Sequence, residues 1–212
     1  MSSFSAIFTD WKQFFAIRKN VLLFVLAMGW AIALFLLFHP FFDYIQQRDG
    51  HHINDWLLSR IPSLDFNWSI FVLIYSVTLV AVVYLLYHPE LFTRALLAYG
   101  IVTTMRLLMI YLFPLEPPRG MIVLKDPFFF YVVQPKNIIT KDLFFSGHTS
   151  TLVLFSLVMD IRWVKYVFIG CTVVLGCLIL IQHVHYTYDV VLAPFFTYYS
   201  YRLAFYKRKP GE

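Results

Sequence analysis

Charge is scarce in this chain. Only 14% of its 212 residues are Asp, Glu, Lys or Arg, against about 25% in a typical soluble domain, which excludes a water-solvated globule. Cysteine is nearly absent. Cys171 and Cys177 stand six residues apart in one apolar run, where they do not meet on a helix. They read as small packing residues, carry no information on redox compartment and leave no thiolate cage for a metal. There is no acidic, Gln-rich or Gly/Ser-rich tract and no internal repeat, so the chain reads as one domain. What it has instead is apolar bulk, 60% hydrophobic with 23 Phe and 14 Tyr. That is the composition of an integral membrane protein. In such a protein the net charge of +5 reflects a positive-inside bias and contact with anionic lipid rather than a nucleic-acid partner.

The expected fold is all-α: a bundle of six transmembrane helices with an N-terminal amphipathic interfacial helix. Residues 1–19 form that helix, and residues 20–212 form the membrane catalytic domain. In the first segment Phe4, Ile7, Phe8, Trp11, Phe14 and Phe15 recur at helical spacing with Asp10, Lys12, Arg18 and Lys19 among them, which suits a helix lying in the interface. A short helix capping the bundle is the alternative. No small-residue cleavage site follows it, so it does not read as a signal peptide.

The spans are expected at 20–39, 67–87, 90–113, 144–160, 165–182 and 186–206. The first has the length of a hydrocarbon core of about 30 Å. Pro40 opens a polar loop, within which 53–61 can form a short surface helix ended by Pro62. Six helix breakers between Pro114 and Pro135 mark a long loop, and Pro194 predicts a kink in the last span. Six spans put both termini on one side. That side carries ten Lys and Arg (Lys12, Arg18, Lys19, Arg94, Arg162, Lys165, Arg202, Lys207, Arg208, Lys209) and the other carries six (Arg48, Arg60, Arg119, Lys125, Lys136, Lys141). The termini are therefore expected to be cytoplasmic.

Two runs carry the chemistry. One is Asp142-Leu143-Phe144-Phe145-Ser146-Gly147-His148-Thr149, and the other is His183-Val184-His185-Tyr186-Thr187-Tyr188-Asp189. Ionisable groups beside apolar spans are expensive and are read as functional by default. His185 and Asp189 stand four apart, so on a helix they share one face, and the carboxylate can fix the imidazole tautomer. The topology places His148, His185, Asp189 and Asp142 at the outer end of the bundle, with Arg106 about 10 Å below it. His185 suits a nucleophile, Asp189 its orienting base, and His148 the acid for a departing alkoxide. A structural hydrogen bond between helices is the plain alternative for His185 and Asp189. Arg106 can bind a phosphate or pair with a carboxylate such as Glu116. Asp142 can orient His148, take a proton from an acceptor, or be a solvated loop carboxylate. His183 reads as an interfacial histidine. His51 and His52, near Asp49 and Asp55, read as a solvated loop. No metal site and no cofactor are expected.

Ser146-Gly147-His148 followed by His185-x-x-x-Asp189 resembles the catalytic core of the type-2 phosphatidic acid phosphatase superfamily. The longer runs Asp142-x-x-x-Ser146-Gly147-His148-Thr149 and His185-Tyr186-Thr187-x-Asp189-Val190 resemble its sphingomyelin-synthase branch. In that branch Cys-Gly precedes the aspartate; here Thr140-Lys141 stand there. Arg106 with Tyr111 and the 114–118 prolines loosely resembles a second branch motif, and Pro62-Ser63-Leu64-Asp65 a first. The chain departs from the simple lipid phosphatases: it has no Lys-x6-Arg-Pro, Leu178-Ile179 stand in place of Ser-Arg, and Phe145 stands in place of a proline. The resemblance implies a metal-independent lipid phosphotransferase working through a phosphohistidine on His185. Ser146, Gly147, Tyr186, Asp142 and Arg106 would be supporting or substrate-binding residues. Few cationic donors suit a singly charged phosphodiester better than a phosphomonoester. The implied partners are membrane lipids, a glycerophospholipid donor and a ceramide or diacylglycerol acceptor. Water as acceptor would make the protein a phosphatase or phospholipase C, and a non-catalytic lipid-binding or transport protein is the alternative from another class. Headgroup, acceptor, organelle and oligomeric state stay open at this level. A lipid cavity would open sideways, with Phe155, Tyr198 and Phe205 as its deep wall and Phe128-Phe129-Phe130-Tyr131 over its mouth.

Overall fold

The computed structural model describes residues 4–125 and 138–206; the Phe128–Tyr131 run and the basic tail lie outside them. Among the described residues the structure is helical with no strand: α1 (Phe4–Ala16), α2 (Arg18–Gln47), α3 (Asn67–Leu86), α4 (Pro89–Leu112), α5 (Gly147–Val158), α6 (Arg162–Ile181) and α7 (Thr187–Ala204). Four of these, α2, α3, α4 and α6, are long and apolar enough to cross a membrane. Their outward faces are correspondingly apolar, with Phe35, Leu36, Leu79, Val83 and Val173 exposed.

The other two expected spans differ for physical reasons. α5 has 12 residues, about 18 Å of helix, and none of the twelve is exposed. It packs against α3, α4, α6 and α7, an interior helix wrapped by the others. Ile70, Val77 and Ala81 of α3, Leu152 of α5, and Phe168, Leu175 and Ile179 of α6 form the largest core. α7 is 18 residues long but carries Asp189, Arg202 and several tyrosines, which lower its apolarity.

The first span does not end at His39. α2 runs through Pro40 to Gln47, because Phe42 and Ile45 beyond the proline are buried against Leu107 and Ile110 of α4. This packing outweighs the backbone hydrogen bond that proline forfeits. The loop helix expected at 53–61 shrinks to a single 3-10 turn, Leu58–Arg60. α1 packs on the bundle: Trp11 donates to the Leu86 carbonyl (2.9 Å) and its ring meets Phe24 and Phe92.

One end of the bundle thus gathers α1, the α3–α4 turn and the α7 C-terminus, where Arg94 donates to the Ala204 carbonyl. The opposite end gathers the loops 48–66 and 113–125, the segment 138–146 and the turn 182–186. His51 and Leu115 cross there as an isolated bridge. A Cβ on Gly50 would lie 2.6 Å from the Leu115 carbonyl carbon, and Gly50 N–H donates to Glu116 (2.9 Å). Gly50→Ala should therefore force two backbones apart and lower stability by about 1–3 kcal/mol, read as a lower midpoint in thermal unfolding of the detergent-purified protein; an unchanged midpoint would contradict this crossing.

Candidate functional site

His185 is not on a helix. It lies in the turn between α6 and α7, and Asp189 is the third residue of α7. The pair meets all the same: His185 Nδ1–H donates to Asp189 Oδ2 at 3.1 Å, with 2% and 1% of the two residues exposed. The same oxygen accepts the Tyr186 backbone N–H (3.1 Å), the carboxylate half of a capping box. The Phe144 backbone N–H also bonds to Asp189, and Ser146 N–H donates to the Asp189 carbonyl (3.0 Å). The segment before α5 is thereby fastened to the start of α7. Phe144 takes φ of 106° there, a strained value for a bulky residue, held by its ring stacked on Phe113 and by these bonds.

Ser146 caps α5, its hydroxyl accepting Thr149 N–H (3.3 Å), and is fully buried; it shapes the helix start rather than facing the cavity. Gly147 lies under Arg106: a Cβ there would sit 2.7 Å from the guanidinium carbon. Arg106, 8% exposed, donates from Nε to the Phe145 carbonyl (3.0 Å) and from Nη2 to Asp142. Of the two roles open to Arg106 in the sequence, the carboxylate pairing is present, but with Asp142. Glu116 instead pairs with Lys141 (2.7 Å), and that ammonium also donates to the Arg48 carbonyl. The Lys141 hydrogen bond is the main reason the Glu116 carboxyl is held below its ordinary range, ahead of the opposing effect of burial and the help of Gly50 N–H. Gln46, carried by the stretch of α2 beyond Pro40, bonds Thr140 through both its amide atoms. Asp142 thus follows two anchored neighbours, Thr140 and Lys141.

Arg106, Asp142, Gly147, His148 and His185 line one cavity of about 290 Å³. The rest of its wall is mostly apolar, with Phe38 of α2, Ile74 of α3, Tyr99 of α4, and Met121, Leu124, Ile139 and Val184. Phe155, Tyr198 and Phe205 are not in that wall. Phe155 packs in the core, Tyr198 is on the outer surface, and Phe205 is buried at the far end. The cavity lies on the α2–α3–α4 side of α5, a placement that periodicity alone does not reveal.

Tyr186 does not line this cavity. It is 2% exposed, donates to the Glu116 carbonyl (3.0 Å) and accepts Ile53 N–H (3.2 Å), so it positions the turn. His183 is buried rather than interfacial, 5% exposed, and its Nδ1–H donates to the Arg119 carbonyl (3.1 Å). Two residues with no sign in the sequence hold the His185 turn. Gln182, fully buried, accepts Phe66 N–H and donates to the Ile122 carbonyl. Asp55 accepts the Thr187 N–H (2.7 Å) and hydroxyl (2.9 Å). The reading of Asp55 as a solvated loop carboxylate is therefore corrected: it is 7% exposed and bonded to the first residue of α7. Among the described residues no three His, Cys, Asp or Glu are grouped as metal ligands.

The family model described as PAP2 superfamily C-terminal matches residues 141–207. This stretch contains His148, His185 and Asp189, and the match supports the type-2 phosphatidic acid phosphatase superfamily and its phosphatase or phosphotransferase chemistry. No curated protein matches the chain.

Burial alone pushes the Asp55 carboxyl up, but its bonds to Thr187, Leu58 and Leu57 outweigh it and hold the group below the ordinary aspartate value. A depressed carboxyl stabilises fully above its unfolded pKa of about 3.9, and that contribution is lost as pH falls through the lower folded value. Asp55→Asn should lower the midpoint of thermal unfolding at pH 7, and its gap from wild type should close as pH drops below about 4. A gap that stays constant down to about pH 2 would remove Asp55 as the clamp.

Proposed function

We propose that the protein is a membrane lipid phosphotransferase of sphingomyelin-synthase type. It moves a phospho-headgroup from a glycerophospholipid to ceramide or diacylglycerol through a phosphohistidine on His185. The observation that carries this reading is one cavity holding both His148 and His185, with Arg106 and Asp142 at its polar end and apolar walls elsewhere. A phospholipid has the same division, a charged head on hydrocarbon tails. His185 Nδ1 is engaged by Asp189, so Nε2 is the nitrogen that attacks phosphorus. Asp189 fixes that tautomer and stabilises the imidazole as it gains the phosphoryl group. His148, from the first turn of α5, protonates the departing alkoxide. Arg106 stabilises charge on the phosphoryl oxygens. In the second half, His148 takes the acceptor's hydroxyl proton, and the acceptor oxygen displaces His185. No step needs a metal.

In this reading α5 and α7 complete a six-helix membrane domain and α1 lies in the interface. The termini are cytoplasmic and the site faces the outer leaflet. Lipids enter sideways between α2 and α3, which bring Phe38 and Ile74 to the cavity. Hydrolysis is the second reading, and the PAP2 superfamily match to residues 141–207 favours keeping it.

His185→Ala should abolish turnover, and Asp189→Asn should reduce it by about two to four orders of magnitude. With headgroup-labelled short-chain phosphatidylcholine and ceramide, labelled acid-labile protein should accumulate in wild type and be absent from His185→Ala. Turnover by His185→Ala near the wild-type rate would end this mechanism. Sidedness has its own test. With Cys171 and Cys177 replaced by alanine, a cysteine at exposed Trp56 should react with an impermeant maleimide in intact cells, and one at exposed Ile161 should not; the reverse pattern would place the site on the cytoplasmic leaflet.

A further inference from the structure

The cavity has one Lys or Arg among its described lining residues, Arg106, and that charge is already answered. Asp142 holds Nη2 and the Phe145 carbonyl holds Nε, so two of the three guanidinium nitrogens are engaged. Lys141, the residue before Asp142, is bound to Glu116. Asp189 stands behind His185 and adds a second carboxylate near the site. The titratable or charged groups that line this place besides Asp142 are Arg106 and Tyr99 from α4, His148 from α5 and His185 from the turn before α7, with Asp189 behind His185 and the Lys141–Glu116 pair next to Asp142.

We propose that Asp142 is a specificity-determining residue that selects by charge. It cancels the positive charge of Arg106, so the cavity accepts a lipid phosphodiester with one negative charge and rejects the dianionic headgroup of a lipid phosphomonoester. The inference rests on the lipid phosphoryl-transfer reading of this cavity and adds the residue that sets its substrate class. A phosphodiester meets a site near neutrality and displaces one carboxylate contact. A dianion meets the same Arg106 with Asp142 beside it and carries an extra charge with no partner. In a partly buried site such an unpaired charge is worth roughly ten- to a hundredfold in affinity. The second ionisation of a phosphomonoester lies near pH ~6, so the penalty appears as pH rises through that value.

Binding of dioctanoyl phosphatidic acid and dioctanoyl phosphatidylcholine to the purified full-length protein in detergent tests this, followed by intrinsic tryptophan fluorescence from pH 5 to 8. Wild type should lose affinity for the phosphatidic acid as pH rises through about 6. Asp142→Asn, which keeps an oxygen for Arg106, should bind phosphatidic acid at pH 8 at least about tenfold more tightly than wild type and change less toward phosphatidylcholine. Asp142→Glu, which keeps the charge, should retain wild-type selectivity. Should Asp142→Asn not fold, Thr140→Lys adds a positive charge from a neighbouring lining position and should relax selection in the same direction. Equal monoester-to-diester affinity ratios in wild type and the charge-altered variant at pH 8 would overturn the proposal. Altered selectivity in a protein that turns over no lipid diester would support Asp142 as the selector and sink the transferase reading instead.

Discussion

A carboxylate buried to 1% exposure costs several kilocalories per mole unless it is fully hydrogen-bonded, and Asp189 meets that demand with groups from two separate segments. It takes the His185 imidazole and the Tyr186 backbone N–H from the turn before α7, and the Phe144 N–H from the segment before α5. Its own carbonyl then receives Ser146 N–H. The start of α5 and the start of α7 are thus one unit, and everything that holds either helix also aims His148 and His185. The left-handed φ of Phe144 belongs to the same constraint. A relaxed backbone there would turn its N–H away from the carboxylate.

The loops at this end do for the turn what a sheet or a disulfide does elsewhere. Gln182 spans two loops, bonding Phe66 and Ile122. Asp55 grips Thr187, and Tyr186 joins Ile53 to Glu116. Each bond joins a buried side chain, Gln182, Asp55 or Tyr186, to a part-buried backbone group, and leaving a buried partner unmatched costs about 1–3 kcal/mol. The site is therefore held on polar bonds at a boundary where apolar packing thins out.

Much of this was legible in the sequence because it depends on local pattern. Apolar run length gives α3, α4 and α6 to within about three residues but ends α2 eight residues early, and the two histidine-bearing runs meet at one cavity. What was not legible depends on contacts between distant residues. Pro40 reads as a stop until Phe42 and Ile45 are seen packed on α4. Asp55 reads as a loop carboxylate because its partner Thr187 is 132 residues away. Four-residue spacing suggested a helical face for His185 and Asp189, yet the contact is made by a turn and a cap. The wall residues were misassigned because periodicity gives a helix its faces without saying which neighbour each one meets.

The depth of the site follows from two helix lengths that are independent of each other. α5 spans about 18 Å, roughly 12 Å short of the hydrocarbon core, and its C-terminal end is at the α1 end of the bundle with Leu154 and Val158 packed on α3, α4 and Phe205. Its N-terminus therefore stops short of the opposite end of the bundle. Arg106 lies six residues before Leu112, the end of α4, about 9 Å down the helix axis. Two separate counts bring Gly147 and Arg106 to nearly the same level, and the guanidinium does rest against Gly147 with no room for a Cβ. A short interior helix leaves a recess above it, and the recess is bounded by loops that carry polar groups and by helices that carry apolar ones. Under the proposed lipid reaction, the length that α5 lacks is the space for the charged headgroup beside the histidines, and the apolar helices around it take the tails.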